Sequence, residues 1–406
     1  MPRADVPRRA GRLLRATFAA ACALVGGVPA AHADDPAASA DLVLRLGTLH
    51  VGDGDVVNDA LVVIDDGRVV AVQAGGTVPE GVRVRTFARA VACPGFVDAV
   101  TQYGLDDGAA ERPDTLTPDV RAADAFDVRA PELRAALDAG TTTLGLVPAP
   151  WNVACGRAAT AGLRTDGSAE VLERVGVPVF AFRAPALRRD RVPATAAGAR
   201  LVLEAAFEGR AWTTSGEGAA PLRAEALAEL AQLRSGAVLV HVDRAEEARV
   251  AVETLRARGL APTLVGLRQI AGPDEARAVA ALGVPCVVTE LGPEDSLATL
   301  AVPAELRAAG ATVALASGAP AQSPRTLRLA LALAVANGLP AADAVPAVTS
   351  HAAAALGASK GLGRVAVGAR ADLLVFDGAP WEPASRLLLT VTGGHVAFDA
   401  ARKDAQ

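Results

Sequence analysis

The chain has 406 residues, 51% hydrophobic and 21% charged, enough for a full core, so disorder and disulfide-dependent miniproteins are excluded. Its formal charge is −5 and aromatics are 3%, so the basic footprint and the stacking platforms of nucleic-acid binding are both missing. All but two of the 40 basic residues are arginine, the lysines being Lys360 and Lys403.

The first segment reads as an export signal. Arg3, Arg8, Arg9, Arg12 and Arg15 precede an apolar run from Ala16 to Val28, then Pro29 and Ala31-His32-Ala33. A basic start, a short apolar centre and a small-x-small site describe a secretory signal peptide over 1–33, cleaved after Ala33. The run falls short of the roughly 20 residues that span a membrane. A periplasmic or extracellular product is expected, with Sec and twin-arginine export both open. Cys93, Cys155 and Cys286 remain, an odd set without C-x-x-C, and are expected to be buried free thiols.

Short β-rich runs follow a linker at 34–40: Leu42–Leu46, Ala60–Ile64 and Val69–Val72, punctuated by Gly52-Asp53-Gly54 and Asp65-Asp66-Gly67. Strand, Asp-Gly, strand is a hairpin signal. A matching set closes the chain at Asp372–Phe376, Arg386–Val391 and His395–Phe398. Residues 34–93 and 361–400 are therefore expected to build one composite β-sandwich, with 401–406 as a tail. Between them, apolar runs at Thr141–Val147, Val177–Phe182, Ala237–Val242, Pro262–Val265, Val284–Thr289 and Thr312–Ala316 alternate with helical stretches such as Ala245–Arg258 and Asp274–Leu282. Continuous apolar runs suit parallel strands covered on both faces. Their rhythm over 94–360 fits an α/β fold, a (β/α)8 TIM-like barrel. An open doubly wound sheet is the alternative, weakened by the absence of G-x-G-x-x-G.

Asp59–Val72, then Ala92-Cys-Pro-Gly-Phe-Val-Asp-Ala99, resembles the opening of the amidohydrolase superfamily, in its imidazolonepropionase-like branch. Ala347–Gly357 and Gly361–Gly378 resemble its close. The resemblance implies a metal-dependent barrel carrying a β-sandwich from both termini. It also implies metal ligands at strand ends, and most are replaced here. Val100 and Gln102 stand at the first-strand His-x-His pair, Gly266 at the sixth-strand histidine, and Gly318 at the eighth-strand aspartate that binds metal and deprotonates water. His241 on the fifth strand is retained. No lysine lies in 34–359, so the bridging carbamylated lysine of many relatives is missing too. Catalytic zinc needs three protein ligands and an open position.

Three readings follow. In the first, the chain is a catalytically inactive member that binds a small molecule or pairs with an active amidohydrolase homologue, with no metal cofactor. In the second, it hydrolyses non-peptide C–N bonds, such as those of cyclic amides, through zinc or another divalent metal in a site rebuilt around His241, Asp243 and Glu290. His241 and Asp243, two apart on one strand, share a face. In the third, it is a purely structural interaction subunit. Homo- or hetero-oligomers are compatible with all three. The pocket is expected at the barrel's C-terminal mouth, from Gln102, Tyr103, Trp151, Asn152, His241, Asp243, Arg268, Gln269 and Glu290. Cys155 lacks a base nearby in sequence and reads as structural, while His50, His351 and His395 are assigned to framework positions.

Overall fold

The computed structural model describes residues 40–78, 82–112, 114–210, 224–270, 272–318, 323–358 and 361–403. The expected signal segment and its cleavage site lie outside the described residues. Four strands come first: β1 (Leu42–His50), β2 (Val56–Asp65), β3 (Arg68–Ala74) and β4 (Val84–Pro94). Asp66 and Gly67 both take positive φ, 45° and 72°, the geometry of a two-residue turn whose twist matches that of the strands it joins.

The barrel begins with β5 (Phe96–Thr101), α1 (Pro131–Asp138) and β6 (Thr141–Leu146). β5 and β6 are parallel. The next three strands, β7 (Ala154–Arg157), β8 (Ala159–Leu163) and β9 (Ala169–Glu173), lead to β10 (Pro178–Ala181) with no helix between them. β8 runs antiparallel to β6, and β7 antiparallel to β10, so the stretch 154–163 supplies a reversed stave. Regular alternation then resumes through α2 (Ala196–Phe207), α3 (Ala224–Gln232), β11 (Gly236–Val242), α4 (Ala245–Ala257), β12 (Leu260–Gly266), α5 (Gly272–Ala280), β13 (Cys286–Thr289), α6 (Leu297–Ala308) and β14 (Val313–Ala316). β10 to β14 are parallel in chain order. Helices α7 (Thr326–Ala336), α8 (Ala341–Ala347) and α9 (Ser350–Ala355) follow.

Strand parity sorts the side chains. Val238, Val240, Val242, Leu264, Val288 and Leu315 face outward and pack on helix residues such as Val252, Leu255, Val279 and Leu306. α4 buries Ala248, Ala251, Val252 and Leu255, the i, i+3, i+4, i+7 stripe of a helix with one face on a core. The alternate residues Val179, Leu239, Val265, Val287 and Ala314 fill the barrel interior. Two hydrogen bonds at the seam tie β14 to β5: Ser317 N–H donates to Asp98 Oδ1 at 2.9 Å, and Gly318 N–H to the Val100 carbonyl at 3.1 Å.

The chain closes with β15 (Leu373–Phe376), β16 (Leu387–Thr392) and β17 (His395–Asp399). These join the first four strands in one seven-stranded sheet, ordered β17-β16-β15-β4-β1-β2-β3. β4 is the junction, parallel to β1 and antiparallel to β15, so the two ends of the chain complete one β unit. Leu44, Leu46, Val62, Ala92, Leu373, Val375 and Leu389 form its own core. Cys93, Leu374 and Phe376, on the other face, join Phe96 in the barrel's outer core. Cys93, Cys155 and Cys286 are free and buried, as expected. No helix among the described residues is long and apolar enough to cross a membrane.

Candidate functional site

The C-terminal strand ends place a small set of polar groups on the barrel's inner face. Leu239 is an interior residue of β11, and His241 and Asp243 follow at the same parity, so all three side chains share that face. β10 does the same one stave over. Val179 and Ala181 are interior, Ala181 pairs with His241, and Arg183 is next on that face. Arg183 Nε sits 2.9 Å from Asp243 Oδ2 and also donates to the Ala184 carbonyl at 3.0 Å. His241 is 5% exposed and Asp243 7%, so the ion pair and the imidazole are largely withdrawn from water.

The electrostatics follow from that burial. Loss of water pushes the His241 imidazole down to about 3, and the Arg183 charge adds to the effect, so the ring is neutral at pH 7. Its Nε2 is buried without a hydrogen-bond partner, as is Asp243 Oδ1. The Arg268 amide faces the Asp243 carboxylate and favours its charged form without giving Oδ1 a bond of standard geometry. Burial raises both Asp243 and Glu290, while Arg183 and Arg268 pull each back toward ionisation. Arg183 thus acts on His241, Asp243 and Glu290 together.

The backbone is strained at the neighbouring strand ends. Gly266, Leu267, Glu290 and Gly318 have φ of 108°, 61°, 61° and 66°, a left-handed region that costs a non-glycine residue about 1–2 kcal/mol. A Cβ at Gly266 would lie 2.5 Å from the Val242 carbonyl, 3.2 Å from Asp243 Oδ1 and 3.4 Å from Arg183 Nη1. One at Gly318 would lie 2.3 Å from Glu290 Cγ. Neither position accepts a ligating side chain without rearrangement.

The other expected pocket residues are distributed differently. Val100 is buried in the interior cluster, and its carbonyl closes the seam with Gly318. Gln102 Oε1 lies beside the backbone of Gly108. Tyr103 is 3% exposed; burial, with the nearby Asp98 charge, raises its phenol. Asn152 is 1% exposed and bonds the Glu111 carbonyl, Thr117 and Arg191. Arg191 also holds the Trp151 carbonyl, and Trp151 stacks under Arg112 at 4.5 Å. Gln269 accepts from Arg244 at 2.8 Å. Arg268 pairs with Asp295 at 2.6 Å and donates to the Glu290 carbonyl. The structure therefore brings His241, Asp243 and Glu290 together with Arg183, which sequence reasoning did not select, while Trp151, Asn152 and Gln269 serve loop frameworks. Cys155 Sγ donates to the Asn152 carbonyl at 3.0 Å, and burial pushes its thiol up to about 12. His50 packs edge-on to Trp381, His351 Nδ1 bonds the Val313 carbonyl and His395 opens β17.

A divalent metal is what the sequence resemblance implies, and the donor set does not fit one. The positions of three expected ligand groups hold Val100 with Gln102, Gly266 and Gly318. A guanidinium already pairs with the carboxylate next to His241, and a fixed cation a few ångströms from a site opposes a second cation there. Among the described residues no group of three histidine, cysteine, aspartate or glutamate side chains is arranged to hold a metal.

A cavity of about 820 Å³ lies between the β unit and β8–β9, lined in part by Arg68, Arg164, Glu170 and Arg370. Within it Arg164 and Arg370 both pair with Glu170, and Arg370 also with Asp372. The barrel mouth, with its unpartnered buried atoms, is the better candidate.

The fold has many solved relatives. An amidohydrolase from Thermotoga maritima MSB8 superposes with a TM-score of 0.73 at 21% identity, covering 88% of this chain and 100% of that one. A molinate hydrolase gives 0.52 at 15% identity, covering 87% and 94%. A triazine hydrolase variant gives 0.51 at 18%, covering 90% and 98%. No curated protein matches. The sequence profile of the amidohydrolase family matches residues 91–401, three quarters of the chain from the last strand of the first β segment through the final strand, and the protein belongs to that family.

Proposed function

We propose that this chain is an exported, non-hydrolytic member of its family, which binds a small molecule at the barrel mouth or serves as the partner of an active homologue. The observation that carries the reading is the Arg183–Asp243 ion pair beside His241: a permanent positive charge sits among the side chains best suited to a rebuilt metal site. Metal-bound water has its pKa lowered from 15.7 to about 7, and a positioned general base adds roughly 10²–10⁴-fold. The residues present supply neither the metal nor the base. Gly318 occupies the position of the base, and Asp243 is committed to Arg183.

The competing reading, a metal-dependent hydrolase of non-peptide C–N bonds, draws on family membership and on the bare Nε2 of His241. The two separate in a hydrolysis assay with a cyclic amide such as dihydrouracil, with and without added zinc or manganese. The expected rate equals that of buffer alone under both conditions. A metal-dependent rate abolished by His241→Ala would overturn the proposal.

A further inference from the structure

A second cavity, of about 490 Å³, opens where α1 and α7 meet strands β16 and β17, and it shares no residue with the barrel mouth. Arg134 and Asp138 of α1 line it with Arg325 and Arg328 at the head of α7, and Leu387 and Phe398 supply an apolar wall. Three guanidiniums thus meet one carboxylate. Arg134 pairs with Asp138 at 2.9 Å. Among the described residues neither Arg325 nor Arg328 has an ion pair, and the Arg325 side chain makes no hydrogen bond. Arg328 donates to the carbonyls of Pro380, Glu382 and Ser385 and stacks on Phe376 at 4.7 Å, which fixes its orientation. The Asp377 charge acts on Arg328, but that carboxylate is bonded by the Arg386 amide and Nε at 2.7 and 2.8 Å.

The helix adds to the excess of positive charge. Arg325 caps α7, Arg328 lies in its first turn, and that turn holds no acidic residue. A helix N-terminus is itself positive and disfavours cations. Partial burial opposes the Arg328 charge further. The segment 319–322, just ahead of the helix, carries no charged residue. An anion in the cavity would offset all of these costs.

The free donors narrow its chemistry. Arg134 spends Nε and Nη1 on Asp138 and the Thr165 carbonyl and keeps Nη2. Arg328 keeps Nη1, and Arg325 keeps its whole fork. A carboxylate brings two oxygens and one charge. A phosphate monoester brings three acceptor oxygens and nearly two negative charges at pH 7, which matches three guanidiniums against one aspartate. Arginine forks suit phosphate geometry. Leu387 and Phe398 offer apolar surface that inorganic phosphate would leave unused, and the volume is that of an ordinary small-molecule site.

We propose that this cavity binds a small soluble phosphate monoester, its phosphate among Arg134, Arg325 and Arg328 and its organic part on Leu387 and Phe398. The site is independent of the reading of the mouth given above.

The test titrates the full chain calorimetrically with phenyl phosphate, inorganic phosphate and phenol. Phenyl phosphate is expected to bind, with phenol at least about tenfold weaker for want of charge, and inorganic phosphate weaker for want of the apolar part. Arg325→Glu should reduce phenyl phosphate binding by at least about tenfold, the order of one charge-assisted hydrogen bond. It should melt no lower than wild type, because an acidic residue suits a helix N-terminus. Arg325→Gln, which removes the charge without reversing it, should fall between the two. Binding left unchanged by Arg325→Glu, or phenol binding as well as phenyl phosphate, would overturn the proposal. So would no phenyl phosphate binding at about 10 mM, where a site of about 1 mM affinity would be nearly filled. Flotation with phosphatidate vesicles separates a lipid headgroup from a soluble ester: a chain that floats with them and ignores phenyl phosphate would also overturn it.

Discussion

Replacing Asp98 with asparagine should change how stability depends on pH. Asp98 is 1% exposed, and its Oδ1 receives the Ser317 N–H across the β14–β5 seam at 2.9 Å. Burial lifts its carboxyl from 3.8 to about 6, against hydrogen bonds from Ser317 and Val100 that favour the charge. The folded state therefore holds this proton more tightly than the unfolded chain does. The sign follows: protonated Asp98 contributes its full stability below about pH 4, and that contribution is lost as pH rises through about 6. At 1.36 kcal/mol per unit, the total is about 3 kcal/mol. An asparagine there would keep a carbonyl for the Ser317 amide and cannot ionise, so Asp98→Asn should gain on wild type by up to about 3 kcal/mol between pH 4 and 7. Urea unfolding at half-unit pH steps measures the difference, and any fixed offset from the amide leaves the slope untouched. Parallel stability curves for the two proteins would refute the assignment of a buried, proton-holding carboxyl at the seam.

Three further outcomes follow from the mouth. Asp243→Asn leaves the Arg183 charge without its partner and should cost about 2–4 kcal/mol, below the range for a fully buried pair because Arg183 retains some exposure, measurable by urea unfolding. Gly318→Asp restores the side chain expected from the family, but at a φ of 66° and against Glu290 Cγ. It should cost on the order of 1–3 kcal/mol, seen as a lower melting temperature, without raising metal content. His241→Leu removes a buried nitrogen that has no partner, so stability should change by less than about 1.5 kcal/mol; a larger loss on thermal melting would mean that the imidazole holds something the cluster needs.

Much of the barrel is legible because its parallel strands are buried on both faces and so appear as unbroken apolar runs; β11, β12 and β14 fall where those runs do. The composite sheet is legible through Asp-Gly turns and through strands at both ends of the chain. The segment 154–173 is not. β7 and β8 are built largely of small residues, which carry weak pattern, and the strands run opposite to their neighbours. The placement of His241 and Asp243 on one face was readable from their spacing along one strand. Arg183 was not, since one arginine among so many has no local mark, and only strand parity from Val179 and Ala181 aims it inward. Gln269 and Asn152 look like pocket groups in sequence, yet Arg244 and Arg191 claim them in space.

Metal stoichiometry is the most direct test of the account. The chain lacking residues 1–33, purified without chelator, would be measured by elemental mass spectrometry beside His241→Ala. The account predicts well under one tenth of a divalent metal per chain in both, because Arg183 holds the place and the partner a metal would need. About one zinc, manganese or iron per chain in the wild type, absent from His241→Ala, would contradict it.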